Sequence, residues 1–223
     1  MQGQLGIGTR PMQHFDPQEL AFPSPKASEF NEPIARISAS AFNSAAFNEH
    51  SHMYIWGSAT DHKLGLGKVL SSVDEPLLAR WTAEKVGFYT ESGKPAVRYQ
   101  LHFAESTDHS KDAAPVVTKM RAIGWGDSHG VMLDTKGRLF SMGLSNHGRL
   151  GLSDKELIEV VKEPTQITFG LPRPSFQSKI IHVATGNAHT VAVTRAGDLY
   201  SWGEGSLQRL GLGYIEELSS TPD

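Results

Sequence analysis

Hydrophobic and polar residues alternate along three stretches of the chain, and each stretch is broken once by a short polar turn. In residues 189–203, HTVAVTRAGDLYSWG, the segments TVAVT and LYSW alternate and RAGD separates them. Alternation with a period of two around a glycine-containing turn predicts two β-strands joined as a hairpin. Residues 129–143 follow the same pattern. Residues 43–57 have Ser51 in place of the turn glycine, which predicts a different turn there.

Each predicted hairpin lies inside a longer repeated unit. A glycine after the second strand precedes a Leu-Gly pair by seven residues in every copy, from Gly57 to Leu64, from Gly143 to Leu150 and from Gly203 to Leu210. Two copies open with Gly-x-x-His, at Gly126 and His129 and at Gly186 and His189, where the third has Ser40 and Asn43. Agreement in several independent spacings indicates a repeat protein, and the absence of a sustained helical period makes it all-β.

These motifs resemble the regulator of chromosome condensation repeat, which combines Gly-x-x-His, a strand pair, Trp-Gly and Leu-Gly-x-Gly. GNAHTVAVTRAGDLYSWGEGSLQRLGLG matches this signature, and GDSHGVMLDTKGRLFSMGLSNHGRLGLS matches it with Met142 in the tryptophan position. The resemblance implies a seven-bladed β-propeller, of which this chain holds about three to four blades. It also implies architectural roles, not chemical ones, for the repeat positions Trp56, Gly57, Gly126, His129, Gly143, Gly186, His189, Trp202 and Gly203.

The units divide the chain into residues 1–36, 37–80, 117–178 and 179–223, with an insertion over 81–116. The Leu-to-Leu distance across the insertion is 86 residues (64 to 150), against 59 (5 to 64) and 60 (150 to 210) elsewhere. Propellers close with about four to eight blades, so we expect the same longer chain or another chain to supply the rest. We expect the insertion to form an added hairpin that projects from one propeller face, followed by a mobile loop.

The insertion is also where we expect a partner to bind. Aromatic residues near arginines form typical interaction hot spots, although burial in a core explains the aromatic residues equally well. The candidates are Arg80, Trp81, Phe88, Tyr89, Arg98, Tyr99 and Phe103.

Composition narrows the function further. The net charge of −3 argues against direct nucleic-acid binding, which depends on clustered Lys and Arg. The chain has no cysteine, which favours an intracellular location, with the compartment left open, and it has no apolar run long enough for a membrane span. We expect no cofactor and no metal.

Three motifs suggest chemistry and are better explained by structure. GDSHG at 126–130 places Asp127, Ser128 and His129 side by side, but consecutive strand residues face opposite ways and cannot converge on a substrate. We expect His129 and His189 to hydrogen-bond backbone between blades. HSH at 50–52 puts two histidines on one strand face without a third ligand, and GEGSLQRLGLG lacks the Lys-Ser/Thr of a phosphate loop.

The sequence therefore favours a non-enzymatic interaction module that presents loops and the insertion to a protein partner, such as a small GTPase or a large assembly. The alternative implied by the resemblance is guanine-nucleotide exchange on a Ran-like small GTPase. Exchange needs only tighter binding of the nucleotide-free GTPase, so it requires no catalytic side chain.

Overall fold

The computed structural model describes residues 5, 19–20, 33–67, 72–79, 81–89, 95–103, 118–152, 159–167 and 179–213. Their regular structure consists of β-strands and three short 3-10 turns at Thr60–His62, Asn146–Gly148 and Ser206–Gln208. The strands are β1 Ile34–Ala39, β2 Asn43–Asn48, β3 Met53–Ser58, β4 Ser72–Ala79, β5 Trp81–Tyr89, β6 Pro95–Phe103, β7 Met120–Trp125, β8 His129–Asp134, β9 Leu139–Leu144, β10 Val160–Gln166, β11 Ile180–Thr185, β12 His189–Thr194 and β13 Leu199–Gly203. Within this part of the chain, no helix has the length and apolar character needed to cross a membrane.

The strands form three antiparallel sheets. Sheet 1 has the order β1-β2-β3-β4, and sheet 3 has the order β11-β12-β13. Sheet 2 has the order β7-β8-β9-β10 and continues through β6 to β5. Each sheet begins with three strands in chain order, so the predicted all-β repeat fold of propeller blades is confirmed.

The hairpin turns of the three sheets have the same geometry, including the one without glycine. Ser51 adopts a φ of 64°, beside 83° for Gly137 and 93° for Gly197. Its amide donates to the carbonyl three residues earlier at 3.0 Å, as the two glycine amides do at 3.2 and 3.1 Å. The expectation of a different turn at Ser51 is therefore wrong, because pairing of β2 with β3 imposes the left-handed conformation that glycine adopts freely elsewhere.

The hydrophobic core lies between adjacent sheets. Phe47 and Ile55 of sheet 1 are 1% and 0% exposed and belong to the same cluster as Met132 and Phe140 of sheet 2. A second cluster joins sheet 2 to sheet 3 through residues such as Val131 and Ile180. Successive sheets thus stack face to face, and the alternation in the sequence supplies the buried faces.

The inserted strands β5 and β6 form a hairpin with continuous pairing from Trp81 with Phe103 to Tyr89 with Pro95. Gln100 of β6 pairs with Thr165 of β10, which places the hairpin at the edge of sheet 2. This differs from the expected projection from one propeller face, because β6 takes up backbone groups that β10 would otherwise leave unpaired. The expected mobile loop lies in residues 104–117, outside the described residues, and the unit boundaries remain predictions.

Candidate functional site

The Gly-x-x-His motif forms the loop that leads into the second strand of sheets 2 and 3. A β-carbon on Gly126 would overlap the His129 ring, and one on Gly186 would overlap the His189 ring. The three-residue spacing therefore places the histidine ring against the backbone of the glycine, where a residue with a side chain would clash. In sheet 1 both residues differ: Ser40 replaces the glycine and Asn43 replaces the histidine. The smaller asparagine side chain leaves room for the β-carbon of the serine.

His129 connects sheet 2 to sheet 3. It is fully buried, and its Nε2 lies 3.3 Å from the hydroxyl of Thr190. Burial, with smaller contributions from the charges of Arg149 and His189, lowers the pKa of His129 to about 4. The interaction crosses between sheets as expected, but its partner is a side-chain hydroxyl and not the backbone.

The apparent triad at Asp127, Ser128 and His129 does not form one. Asp127 and Ser128 lie in the loop before β8, so our argument from strand alternation was wrong for them. His129 uses Nε2 toward Thr190, and its Nδ1 has no hydrogen-bond partner among the described residues. Neither ring nitrogen is thus bonded to Ser128, as a general base would be to its nucleophile.

The tryptophan position packs against the Leu-Gly turn of the preceding sheet. A β-carbon on Gly65 would lie 3.4 Å from Cγ of Met142, and one on Gly151 would lie 2.8 Å from Nε1 of Trp202. The Trp202 indole also donates to the carbonyl of Arg149 at 3.1 Å. Met142 is fully buried in the cluster that joins sheets 1 and 2, whereas Trp56, 6% exposed, clusters with Ala46 and Tyr54 of its own sheet.

The glycines after the tryptophan position shape the strand end. Gly57, Gly143 and Gly203 adopt φ values of 111°, 106° and 109°. A β-carbon on any of them would crowd the carbonyl of the preceding loop, which accepts a hydrogen bond from the next residue's amide. These three glycines thus allow close backbone approach at the end of the strand.

Lys63 is a site residue that the sequence reasoning missed. It is only 2% exposed, and its Nζ donates to the carbonyl of Asp127 at 2.9 Å while lying 5.0 Å from the ring centre of Phe42. Burial lowers the pKa of Lys63, and the carboxylates of Asp61 and Asp127 oppose this. A signal was available, because a basic residue also precedes the Leu-Gly pair in the other copies, as Arg149 and Arg209.

The two histidines of the HSH motif lie in the turn before β3, not on a strand face as expected. Their rings are nearly parallel with centres 6.4 Å apart, and Nδ1 of His52 is 3.0 Å from Nδ2 of Asn48. Nowhere in the described ranges do three or more His, Cys, Asp or Glu residues come together as a metal site. His52 instead closes the hairpin turn.

The register of the inserted hairpin sorts the candidate partner-binding residues by face. Directly paired residues share a face, and residues two apart along a strand share it as well. Trp81 pairs with Phe103 and Lys85 pairs with Tyr99, so four aromatic residues lie on one face, namely Trp81, Tyr89, Tyr99 and Phe103. By the same register, Phe88 and Arg98 belong to the opposite face of the hairpin. Arg80 is outside the described residues.

Three sheets with the same strand register, stacked face to face, define a repeat protein built of propeller blades. Models of the regulator of chromosome condensation (RCC1) repeat match residues 136–193 and residues 180–207. The chain belongs to the RCC1 repeat family, which confirms the resemblance seen in the sequence.

Relatives extend well beyond the length of this chain. Ultraviolet-B receptor UVR8 of Arabidopsis thaliana is 31% identical over 196 residues, covering 79% of this chain and 43% of UVR8. Regulator of chromosome condensation of Drosophila melanogaster is 36% identical over 153 residues, covering 62% of this chain and 26% of that protein. The solved structure of Prp20p from Saccharomyces cerevisiae aligns with a TM-score of 0.46 and 22% identity, covering 83% and 49% of the two chains. The chain thus spans less than half of the length of each of these proteins.

Proposed function

We propose that this chain is a non-enzymatic protein-interaction module and that the inserted hairpin is its docking element. The observation that carries the proposal is the set of four aromatic residues that β5 and β6 place on one face. The hairpin is an addition to the repeated strands, since it joins sheet 2 beyond β10. The buried repeat positions take part in packing, whereas loops and added elements are where binding sites usually lie in such scaffolds.

The experiment compares the two faces of the hairpin. Proteins captured from cell extract by the whole chain and by a variant without residues 82–115 are quantified, and each protein lost from the variant is purified. Its Kd is then measured by calorimetry against the whole chain, a Tyr99→Ser/Phe103→Ser variant and a Phe88→Ser control on the other face. We expect the aromatic-face variant to bind at least about thirtyfold more weakly, since a hot-spot residue contributes about 2 kcal/mol.

The control variant is expected to bind like the original chain. Equal affinity of all three proteins, or an unchanged set of captured proteins after the deletion, would contradict the assignment of the hairpin. Thermal unfolding of each variant separates loss of binding from loss of sheet 2.

Guanine-nucleotide exchange on a Ran-like small GTPase is the alternative function. The study of Prp20p describes its binding properties to Gsp1p and histones. Mixing this chain with a Ran-type GTPase loaded with fluorescent GDP tests the alternative. We expect nucleotide release at the intrinsic rate, and faster release in proportion to the added chain would replace the non-enzymatic proposal by exchange.

A further inference from the structure

Exposed cations gather at the hairpin-turn end of sheets 2 and 3, although the chain as a whole has a net charge of −3. Two belong to sheet 2, one just before β7 and one in the turn between β8 and β9. The other two belong to sheet 3, one just before β11 and one in the turn between β12 and β13. These four exposed residues, called the basic row below, are Lys119, Lys136, Lys179 and Arg195.

Backbone hydrogen bonds hold the basic row together. The amide of Thr135 donates to the carbonyl of Lys119 at 3.0 Å, and the amide of Arg195 donates to the carbonyl of Lys179 at 2.9 Å. The two sheets meet where the amide following Lys179 donates to the carbonyl of Gly137 at 3.2 Å. A β-carbon on Gly137 would lie 2.6 Å from Cβ of Lys179. The backbone positions of the four cations are therefore neighbours along two adjacent turns.

The acidic residues of these turns are already engaged. Asp134 is 1% exposed and accepts hydrogen bonds from the amides of Lys136 and Arg138 and from Nε of Arg138 at 2.7 Å. Asp198 is half-buried and accepts a hydrogen bond from the Thr194 hydroxyl at 3.2 Å. None of the four cations has an ion pair among the described residues. Among the described residues, the basic row is therefore a set of exposed cations without ion pairs.

The row ends at sheet 1. The corresponding turn there presents the exposed Glu49 and His50, and Arg36 turns toward the hydroxyl of Ser51 and the ring of Phe47. Packed sheets lie about 10 Å apart, so about three residues of an extended segment, at about 3.3 Å each, reach from the turn of sheet 2 to the turn of sheet 3.

We propose that the basic row binds an extended acidic segment of a partner protein. Carboxylates at intervals along such a segment match the row of separate positive charges, and three of the four cations are lysines, which bind as point charges. Nucleic acid fits less well, because residues 134–138 and 194–198 contain no aromatic side chain on which bases could stack. The negative net charge also opposes the approach of a long polyanion. This surface is separate from the inserted hairpin, so it stands or falls independently of the proposed function.

The test measures binding of a fluorescein-labelled glutamate peptide of about eight residues by anisotropy at low ionic strength. A glutamine peptide of the same length and a single-stranded oligonucleotide of the same net charge serve as comparison ligands. The proteins are the whole chain, Lys136→Glu/Lys179→Glu, the milder Lys136→Gln/Lys179→Gln and a matched control, Lys162→Glu, which changes an exposed lysine on β10 outside the row.

We expect the glutamate peptide to bind, the glutamine peptide not to bind, and about 0.5 M salt to abolish the interaction. The charge reversal should weaken binding about tenfold or more, the glutamine variant less, and the Lys162→Glu control by less than twofold. Surface substitutions of this kind leave stability nearly unchanged, and the glutamine variant remains informative if the reversal fails to fold. No peptide binding, equal binding by all variants, or tighter binding of the oligonucleotide would overturn the proposal.

Discussion

The buried imidazole of His129 makes the stability of this protein depend on pH in a direction fixed by its surroundings. Burial lowers the pKa of His129 to about 4 from its ordinary 6.5, so the folded state keeps the ring neutral between these values. The unfolded chain takes up a proton there, and stability therefore falls as the pH drops below 6.5. The full effect is about 3 kcal/mol below pH 4, because each pKa unit corresponds to about 1.4 kcal/mol.

Urea unfolding followed by tryptophan fluorescence at several pH values tests this reasoning. Between about pH 7.5 and pH 5 the His129 contribution falls by about 2 kcal/mol, and we expect His129→Asn to remove this part of the pH dependence. His147→Asn is the control, because it replaces a histidine that is exposed to water in the folded protein. If the free energy of unfolding changes with pH by the same amount in the original chain and in His129→Asn, the argument is refuted, whatever the absolute loss of stability.

Three further predictions concern packing and turns. Ser51→Gly should raise the free energy of unfolding by about 1 kcal/mol, and Gly197→Ser should lower it by a similar amount, because both positions have positive φ. Gly197 has open space around it, so its substitution tests the backbone conformation alone. Urea unfolding that changes stability in the same direction for both variants would contradict this. Gly186→Ser should destabilise the protein strongly by itself, but much less in combination with His189→Asn, which reproduces the Ser–Asn pair of sheet 1. A double-mutant cycle should give a coupling energy of at least about 1 kcal/mol. Additive losses of stability would argue against the steric contact between the two residues. Trp202→Phe should lose about 1 kcal/mol with its hydrogen bond to sheet 2, measured in the same way, and no loss would show that the bond contributes nothing.

The repeated strands were predictable because their signals are local. Alternation marked β8 and β9 and also β12 and β13, and the spacing of Gly-x-x-His placed the loops that precede β8 and β12. Both signals depend on residues within a few positions of one another. The same reasoning failed at Ser51, where pairing of the flanking strands decided the turn in spite of the residue.

The candidate site was less predictable, because it depends on contacts between distant residues. The Lys63 ammonium donates a hydrogen bond to the carbonyl of Asp127, which lies in a loop of the next sheet and 64 positions away along the chain. The candidate residues of the insertion were found by composition alone, and only the pairing of β5 with β6 separated the aromatic face from Phe88 and Arg98. The basic row likewise joins residues from four segments that no sequence window contains.

By itself, the sequence determined that this protein is a β repeat and which glycines and tryptophans recur, because alternation and spacing act within one hairpin. Tertiary structure decided that the His129 ring contacts the hydroxyl of Thr190 and that β6 pairs with β10 at the edge of sheet 2. It also decided that the basic residues of two turns lie next to each other. These outcomes follow from sheets stacking and strands pairing across long stretches of chain. Their energies depend on contacts that form only in the folded protein.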